Sequence, residues 1–284
     1  FITRVQWGLH VSQIFGTVTI KNAQVIKSAS ALQMDFLSSA THVSNFLARE
    51  MKGLAIHMTI LQNTELAYIT FDSCTSMLIN AVGFANSGGQ LNMHDMVISN
   101  CNTAALDLIN LLGQNVIYFT NFKFLNCKSN TLVTSHLAQL IFMNDISIEK
   151  CQGTGSKNGL ITLLRSKILS LSRFNSTDTT SSGGGGTQSV FYLYGSDQSS
   201  LANFKCLNHK SQKANGGCIH SRQGGSLSIT HSTFKSNTAF HGGAIRILSS
   251  KSLSLQFCEF QANRAELGGA IALDNVFSQA GLTI

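Results

Sequence analysis

The sequence predicts an all-β protein: a right-handed parallel β-helix, a solenoid of about ten coils of ~26 residues each. Three observations carry that expectation. The segment LSITHSTFKSNTAFHGGAI at 227–245 recurs without a gap as LSLQFCEFQANRAELGGAI at 253–271, and self-similarity at a fixed period marks stacked repeats. Within the repeat, short runs such as Ser226 to Thr230 and Ser252 to Gln256 alternate polar and apolar residues, the pattern of half-buried strands rather than helices. The chain also contains no proline, a residue that cannot donate to a β-ladder and is confined to edges and bulges.

The repeat extends upstream as columns of like residues. A shift of a further 26 residues puts Gly216, Gly217 and Ile219 under Gly242, Gly243 and Ile245, and Leu201 under Leu227. One apolar column reads Leu66, Met93, Phe119, Met143, Leu171, Ile229 and Leu255; its partner, two residues earlier, reads Leu91, Ile117, Ile141, Leu169, Leu201, Leu227 and Leu253. A third reads Phe71, Ile98, Phe124, Ile148, Phe234 and Phe260, and a polar or thiol column follows it with Cys74, Cys101, Cys127, Cys151, Thr179, Asn237 and Asn263. Stacked about 4.8 Å apart, such columns become ladders that fill the bore. A leucine-rich repeat has a similar period, but its L-x-x-L-x-L-x-x-N signature is missing. The chain therefore reads as one β-helix segment, 1–284, of a longer protein. Coils are less regular over 1–60, with Phe15, Ile20, Phe46 and Leu54 to Ile60 as anchors, and carry the cysteine column over 61–180. A glycine-rich loop insertion containing Gly183 to Gly186 covers 181–199, and the glycine-motif coils cover 200–284.

Composition excludes several function classes. Hydrophobic residues make up 43% and charged residues 12%, the opposite of a disordered chain. The net charge of +7 comes from 20 scattered Lys and Arg with no basic stripe, so no nucleic-acid partner is expected. No run of 18 apolar residues is present, so this segment has no membrane-spanning helix. The first residue is Phe1 and no leader pattern follows it, which reads as an excised part of a longer polypeptide.

Seven cysteines are present. Zinc needs four ligands converging tetrahedrally, whereas one cysteine per rung gives a line, and no C-x-x-C occurs; no metal and no cofactor is expected. Disulfides between neighbouring coils, Cys74 with Cys101 or Cys127 with Cys151, fit the Cα spacing a disulfide needs. Identical side chains in a parallel stack point alongside one another, however, which favours buried thiols acting as small apolar groups. Cys206 and Cys258 share another column and read the same way, and Cys218 takes the alanine slot of the glycine motif.

No catalytic residue is predicted. The 13 Asp and Glu are never adjacent, whereas polysaccharide-degrading β-helices gather acids on one face. Asp72 and Asp95 are expected near equivalent turns as solvated carboxylates, and His94, His209, His220, His231 and His241 mostly as surface residues in turns. Gly183 to Gly186 lacks the G-K-[S/T] of a phosphate loop. Asn175 begins the N-x-[S/T] glycosylation pattern and leads toward the glycine run.

The sets Phe234, Asn237, Gly242, Gly243 and Phe260, Asn263, Gly268, Gly269 spell F-x-x-N followed by G-G-A-I. This pattern resembles the repeat of polymorphic outer-membrane proteins, in which it lies in a pectin-lyase-like right-handed β-helix; similar repeats occur in very large surface proteins of single-celled eukaryotes. In the first half Cys stands where that family has Asn. Physically, Phe fills the bore, Asn bonds backbone groups left unpaired at the turn, and paired glycines permit positive φ or a close backbone approach. The resemblance implies a cell-surface or secreted protein with an adhesive or coat-forming role. The expected function is thus a non-enzymatic structural or adhesive surface or filament-forming protein, with a glycan-binding or polysaccharide-degrading enzyme as the alternative. Expected partners are neighbouring β-helix segments, end to end through open strand edges, and glycans.

Overall fold

The structure is a computed structural model and describes residues 2–3, 9–12, 17–37, 40–60, 62–83, 89–103, 106–154, 159–182, 189–211 and 215–275. Among these there is no helix, and strands pair in parallel with their counterparts one turn away, so the chain is a parallel β-helix. One central turn shows the plan. The strand Val116–Leu125 lies in a wide sheet, Lys128–Ser129 in a short corner sheet, and Val133–His136 in a second long sheet. The next turn repeats them as Leu140–Glu149, Gln152–Gly153 and Ile161–Leu164. Both long sheets continue through eleven rungs and the corner sheet through five.

Left-handed residues make the corners. The sixth residue of each ten-residue strand bends it, as at Asp95, Asn121, Asp145 and Asn203, with φ between 54° and 56°. A second such residue ends the strand (Asn100, Asn126, Lys150, Asp178, Asn208), and a third follows the four-residue strand (Gly113, Leu137, Arg165, Gly195). Gly, Asn and Asp visit this region most easily, which is why asparagines recur at the period. Their amides also bond between rungs: Asn45 Nδ2 donates to Asn22 Oδ1 at 3.0 Å, and Asn208 Nδ2 to Asp178 Oδ1 at 2.9 Å.

The bend resets the in–out alternation. In Val116–Leu125 the core-facing positions are Ile117, Phe119, Phe122 and Phe124, with a step of three residues rather than two from Phe119 to Phe122. The predicted columns through Phe119, Ile117 and Phe124 all exist in the pairing register. A fourth column, invisible to a two-residue period, runs Ala23, Phe46, Ile69, Met96, Phe122, Ile146, Phe174 and Phe204. Phe234 pairs with Phe260, and their rings stack with centroids 5.1 Å apart. The resulting core is continuous from Val18 to Leu255.

Three expectations need correction. Leu201 stacks on Leu171 and Ile229, not under Leu227, whose partner is Ser199. The turn between them is two residues longer than the next, because Lys210 pairs with Thr238 across 28 positions and Asn215 with His241 across 26. In the wide sheet before residue 60 the described strands keep one spacing, with Ile20, Val43 and Leu66 in one column at 23 residues, a different period that hid them. In the second sheet the register shifts between Met34 and Leu37, so that part of the expectation of less regular coils stands. Phe15 lies outside the described residues. The insertion assigned to 181–199 is shorter: Phe191–Tyr194 is a strand of the second sheet, Gln198–Leu207 one of the wide sheet, and Gly183 to Gly186 lie outside the described residues.

Candidate functional site

The outer face of the wide sheet concentrates the chemistry. On successive rungs His42 pairs with Glu65, and Ala67 with His94. The sheet therefore sets a chain of groups side by side. His42 Nδ1 lies 2.8 Å from Glu65 Oε2, Glu65 Oε1 3.0 Å from His94 Nε2, and His94 Nδ1 2.8 Å from Asp95 Oδ2; Asn121 Nδ2 donates to Asp95 Oδ1 at 2.6 Å. Both nitrogens of His94 face carboxylates, so both donate. Partial burial disfavours a charged ring, but the bonds to Asp95 and Glu65 outweigh it and lift the His94 pKa above the usual histidine value. Glu65 is held below its usual range by the bonds from His94 and then His42, and Asp95 by those from His94 and Asn121. Beside this chain opens a groove lined by Lys21, His42, Ser44, Glu65, Tyr68 and His94. Tyr68 is 58% exposed and meets His94 edge-on, with ring centroids 5.6 Å apart.

Farther along the face, Arg173 holds Asp145 with two bonds, Nε to Oδ1 at 2.5 Å and Nη2 to Oδ2 at 2.8 Å, and these keep the Asp145 carboxyl below its usual range. The surrounding trough includes Lys123, Ser147, Asn175 and Lys205. Asn175 is exposed in the middle of this sheet and not beside a loop, so a glycan there would cover the trough. Asp72 and Asp95 are not equivalent: Asp72 pairs with Ser99, whereas Asp95 shares the bend position with Tyr68 and Asn121.

The cysteine column serves the backbone. Cys74, Cys101, Cys127 and Cys151 are buried free thiols. Cys127 donates to the carbonyl of Ile98 one rung back at 3.4 Å. Asn237 Nδ2 reaches the equivalent carbonyl of Cys206 at 3.0 Å, and Asn263 Nδ2 that of Phe234 at 2.8 Å. Thiol and amide thus occupy one slot with one task. Hydrogen bonds with neighbouring sulfurs, together with burial, keep Cys101 and Cys151 far above the usual thiol range. The positive φ falls not on the asparagines but on Ser236 and Ala262 before them. His209 also stands in this column, fully buried, with Nδ1 2.8 Å from Thr179 Oγ1 and Nε2 3.1 Å from Ser181 Oγ. His209 and His220 are therefore interior residues rather than surface ones.

Cys206 and Cys218 form a disulfide with Cα atoms 6.3 Å apart, which corrects the reading of Cys206 as a thiol. They face each other across the bore of one turn, where the next turn has Phe234 and Ala244; a comparison between rungs alone misses such a pair. Nor does Cys258 share the Cys206 column, because Cys206 pairs with Phe234 and Cys258 follows Phe257 at the next bend. Cys218→Ser is expected to lower stability by ~2–3 kcal/mol, the loop-closure contribution of a bridge over so short a loop, as read by urea unfolding.

In the glycine motif the two glycines do different things. Gly216, Gly242 and Gly268 take positive φ of 77°, 58° and 63°. A Cβ at Gly243 would overlap the carbonyl oxygen of Gly269 in the next rung, and one at Gly217 that of Gly243. Among the described residues no three His, Cys, Asp or Glu are disposed to hold a metal, and no helix is long and apolar enough to cross a membrane.

Fold and face together define a parallel β-helix with a long polar outer sheet. No family model matches the chain, and no curated protein is similar to it. Among solved structures it is similar to the crystal structure of bacteriophage CBA120 tailspike protein 3, with 9% identity over 87% of this chain and a TM-score of 0.29. The match spans 45% of the length of that tailspike chain. At that level of superposition the likeness carries nothing about function.

Proposed function

We propose that this protein is a non-enzymatic adhesive β-helix of a cell surface or secreted assembly, and that the outer face of its wide sheet binds an extended glycan. Tyr68 carries this reading. It takes φ of 54° at a bend where the neighbouring rungs have Asn45 and Asp95, a conformation that strains a bulky residue by roughly 1–2 kcal/mol. Its ring is left open to solvent beside the Glu65–His94–Asp95 chain. A sugar has an apolar ring face and a rim of hydroxyls; the tyrosine covers the first, and the carboxylates and amides take hydrogen bonds from the second. Phe257, also at this column, is 79% exposed and stacks on His231 at 4.9 Å, away from any carboxylate chain of this kind among the described residues.

Two further observations support the reading. A carboxylic general acid of the kind glycosidases use at neutral pH needs a raised pKa, whereas Glu65, Asp72, Asp95 and Asp145 are all lowered. The Cys206–Cys218 disulfide suits an oxidising, extracellular setting, as does the similarity of the F-x-x-N and G-G-A-I repeats to those of polymorphic outer-membrane proteins.

Tyr68→Asn separates structure from function. The substitution is expected to raise stability by about 1 kcal/mol and to weaken binding of glycans retained by the wild type about tenfold or more. A glycan array followed by titration calorimetry reads the second effect, and thermal unfolding the first. Undiminished binding by the variant would sink the assignment, and release of new reducing ends from any polysaccharide would sink the non-enzymatic part.

A further inference from the structure

The second long sheet carries a cluster that neither the core nor the glycan face uses. In Ile219–Arg222 the side chain of His220 is 1% exposed, and both of its ring nitrogens lack a hydrogen-bond partner. Its neighbour in the previous rung is Tyr192, ring centroids 5.3 Å apart, and in the next rung Arg246. Arg246 is anchored at its outer end: Nη1 bonds His241 Nδ1 at 2.9 Å and Nη2 bonds Asp274 Oδ2 at 2.9 Å. Its Nε is buried and has no partner. The corner at Gly216 closes over the pair, since a Cβ there would lie 3.0 Å from His220 Cβ and 3.2 Å from Arg246 Cβ.

We propose that His220 and Arg246 form a binding site for a small inorganic anion of the chloride class, roofed by the Gly216 corner. The imidazole presents an N–H and Arg246 presents its Nε–H, two buried donors with no acceptor. A halide accepts from several donors and needs none in return, so one ion satisfies both, and leaving them unpaired is costly. The local charge has the right sign. Arg222 lies two residues along the strand and Arg246 one rung away, both disfavour a second positive charge on His220, and Asp274 engages Arg246 only from the solvent side. The positive-φ glycine fits this roof: a side chain at Gly216 would crowd the two residues that line the site.

Crystals of the full chain soaked in bromide and measured at the bromine edge test the site directly. The expected result is an anomalous peak within hydrogen-bond distance of the His220 ring and Arg246 Nε. In solution, chloride is expected to raise the melting temperature on the order of 3 °C over gluconate at equal ionic strength near neutral pH, and Arg246→Met is expected to abolish that difference. Density there without anomalous signal identifies a water and overturns the proposal, even if the variant fails to fold. An equal melting temperature in the two salts, or an unchanged difference in Arg246→Met, overturns it too.

Discussion

Lowering the pH from about 7 to about 3.5 is expected to reduce stability by about 4 kcal/mol through His220 alone. Burial, then the charges of Arg246 and Arg222, depress its pKa from the ordinary histidine value of 6.5 to about 3. The unfolded chain therefore takes up a proton near pH 6.5 that the folded chain refuses until about pH 3. The unfolded state binds more protons throughout that window, so stability is full above it and falls steadily as pH drops through it. Each pH unit contributes about 1.4 kcal/mol. Urea unfolding at a series of pH values in gluconate buffer reads the slope. The His220→Phe variant keeps a ring against Tyr192 and removes the main titrating group, so its curve should fall much less between about pH 6 and pH 4.5, the remaining slope including His136, whose pKa burial also lowers. His94 works in the opposite direction, because its raised pKa favours the fold at lower pH, but it is partly solvated and acts weakly. A variant with the wild-type slope would show that His220 is not the titrating group.

The fold was legible because stacking turns a spatial relation into a sequence period. Leu66, Met93, Phe119 and Met143 are neighbours in the bore and stand out as a column by eye. What escaped notice did so for three physical reasons. A left-handed residue such as Asn121 shifts the in–out phase by one, so the Phe122 column hid behind the Phe119 column. Turn length changes from 23 to 30 residues along the chain, since Val43 to Leu66 spans 23 and Leu171 to Leu201 spans 30, and a fixed shift loses the register wherever it changes. Contacts within one turn, such as Cys206 with Cys218, leave no periodic trace. The candidate site was hidden for a related reason. His42, Glu65 and His94 are separated by 23 and 29 residues, and only the register of unequal turns brings them together. Each looks like a scattered surface group when read alone.

Phe204→Ala is expected to destabilise the protein by about 3–5 kcal/mol, the range for a fully buried aromatic ring. The Phe204 ring stacks on Phe174 at 4.5 Å and on Phe234 at 5.7 Å, and meets Phe191 edge-on at 6.1 Å. The void cannot collapse easily, because the rungs above and below are pinned by their own backbone ladders at about 4.8 Å spacing. Half-buried Phe260 has Phe234 on one face only among the described residues, so Phe260→Ala should cost less than half as much. In a solenoid each turn contacts only its neighbours, and stability is close to a sum of turn and interface contributions. The damage should therefore stay local. Amide exchange in Phe204→Ala should accelerate first in Gln198–Leu207, Ile219–Arg222 and Thr233–Lys235, while Thr64–Asp72 keeps its wild-type protection. Uniform acceleration along the whole chain would mean that the turns unfold as one cooperative block, and nearest-neighbour stacking would then be the wrong account of what holds the column together.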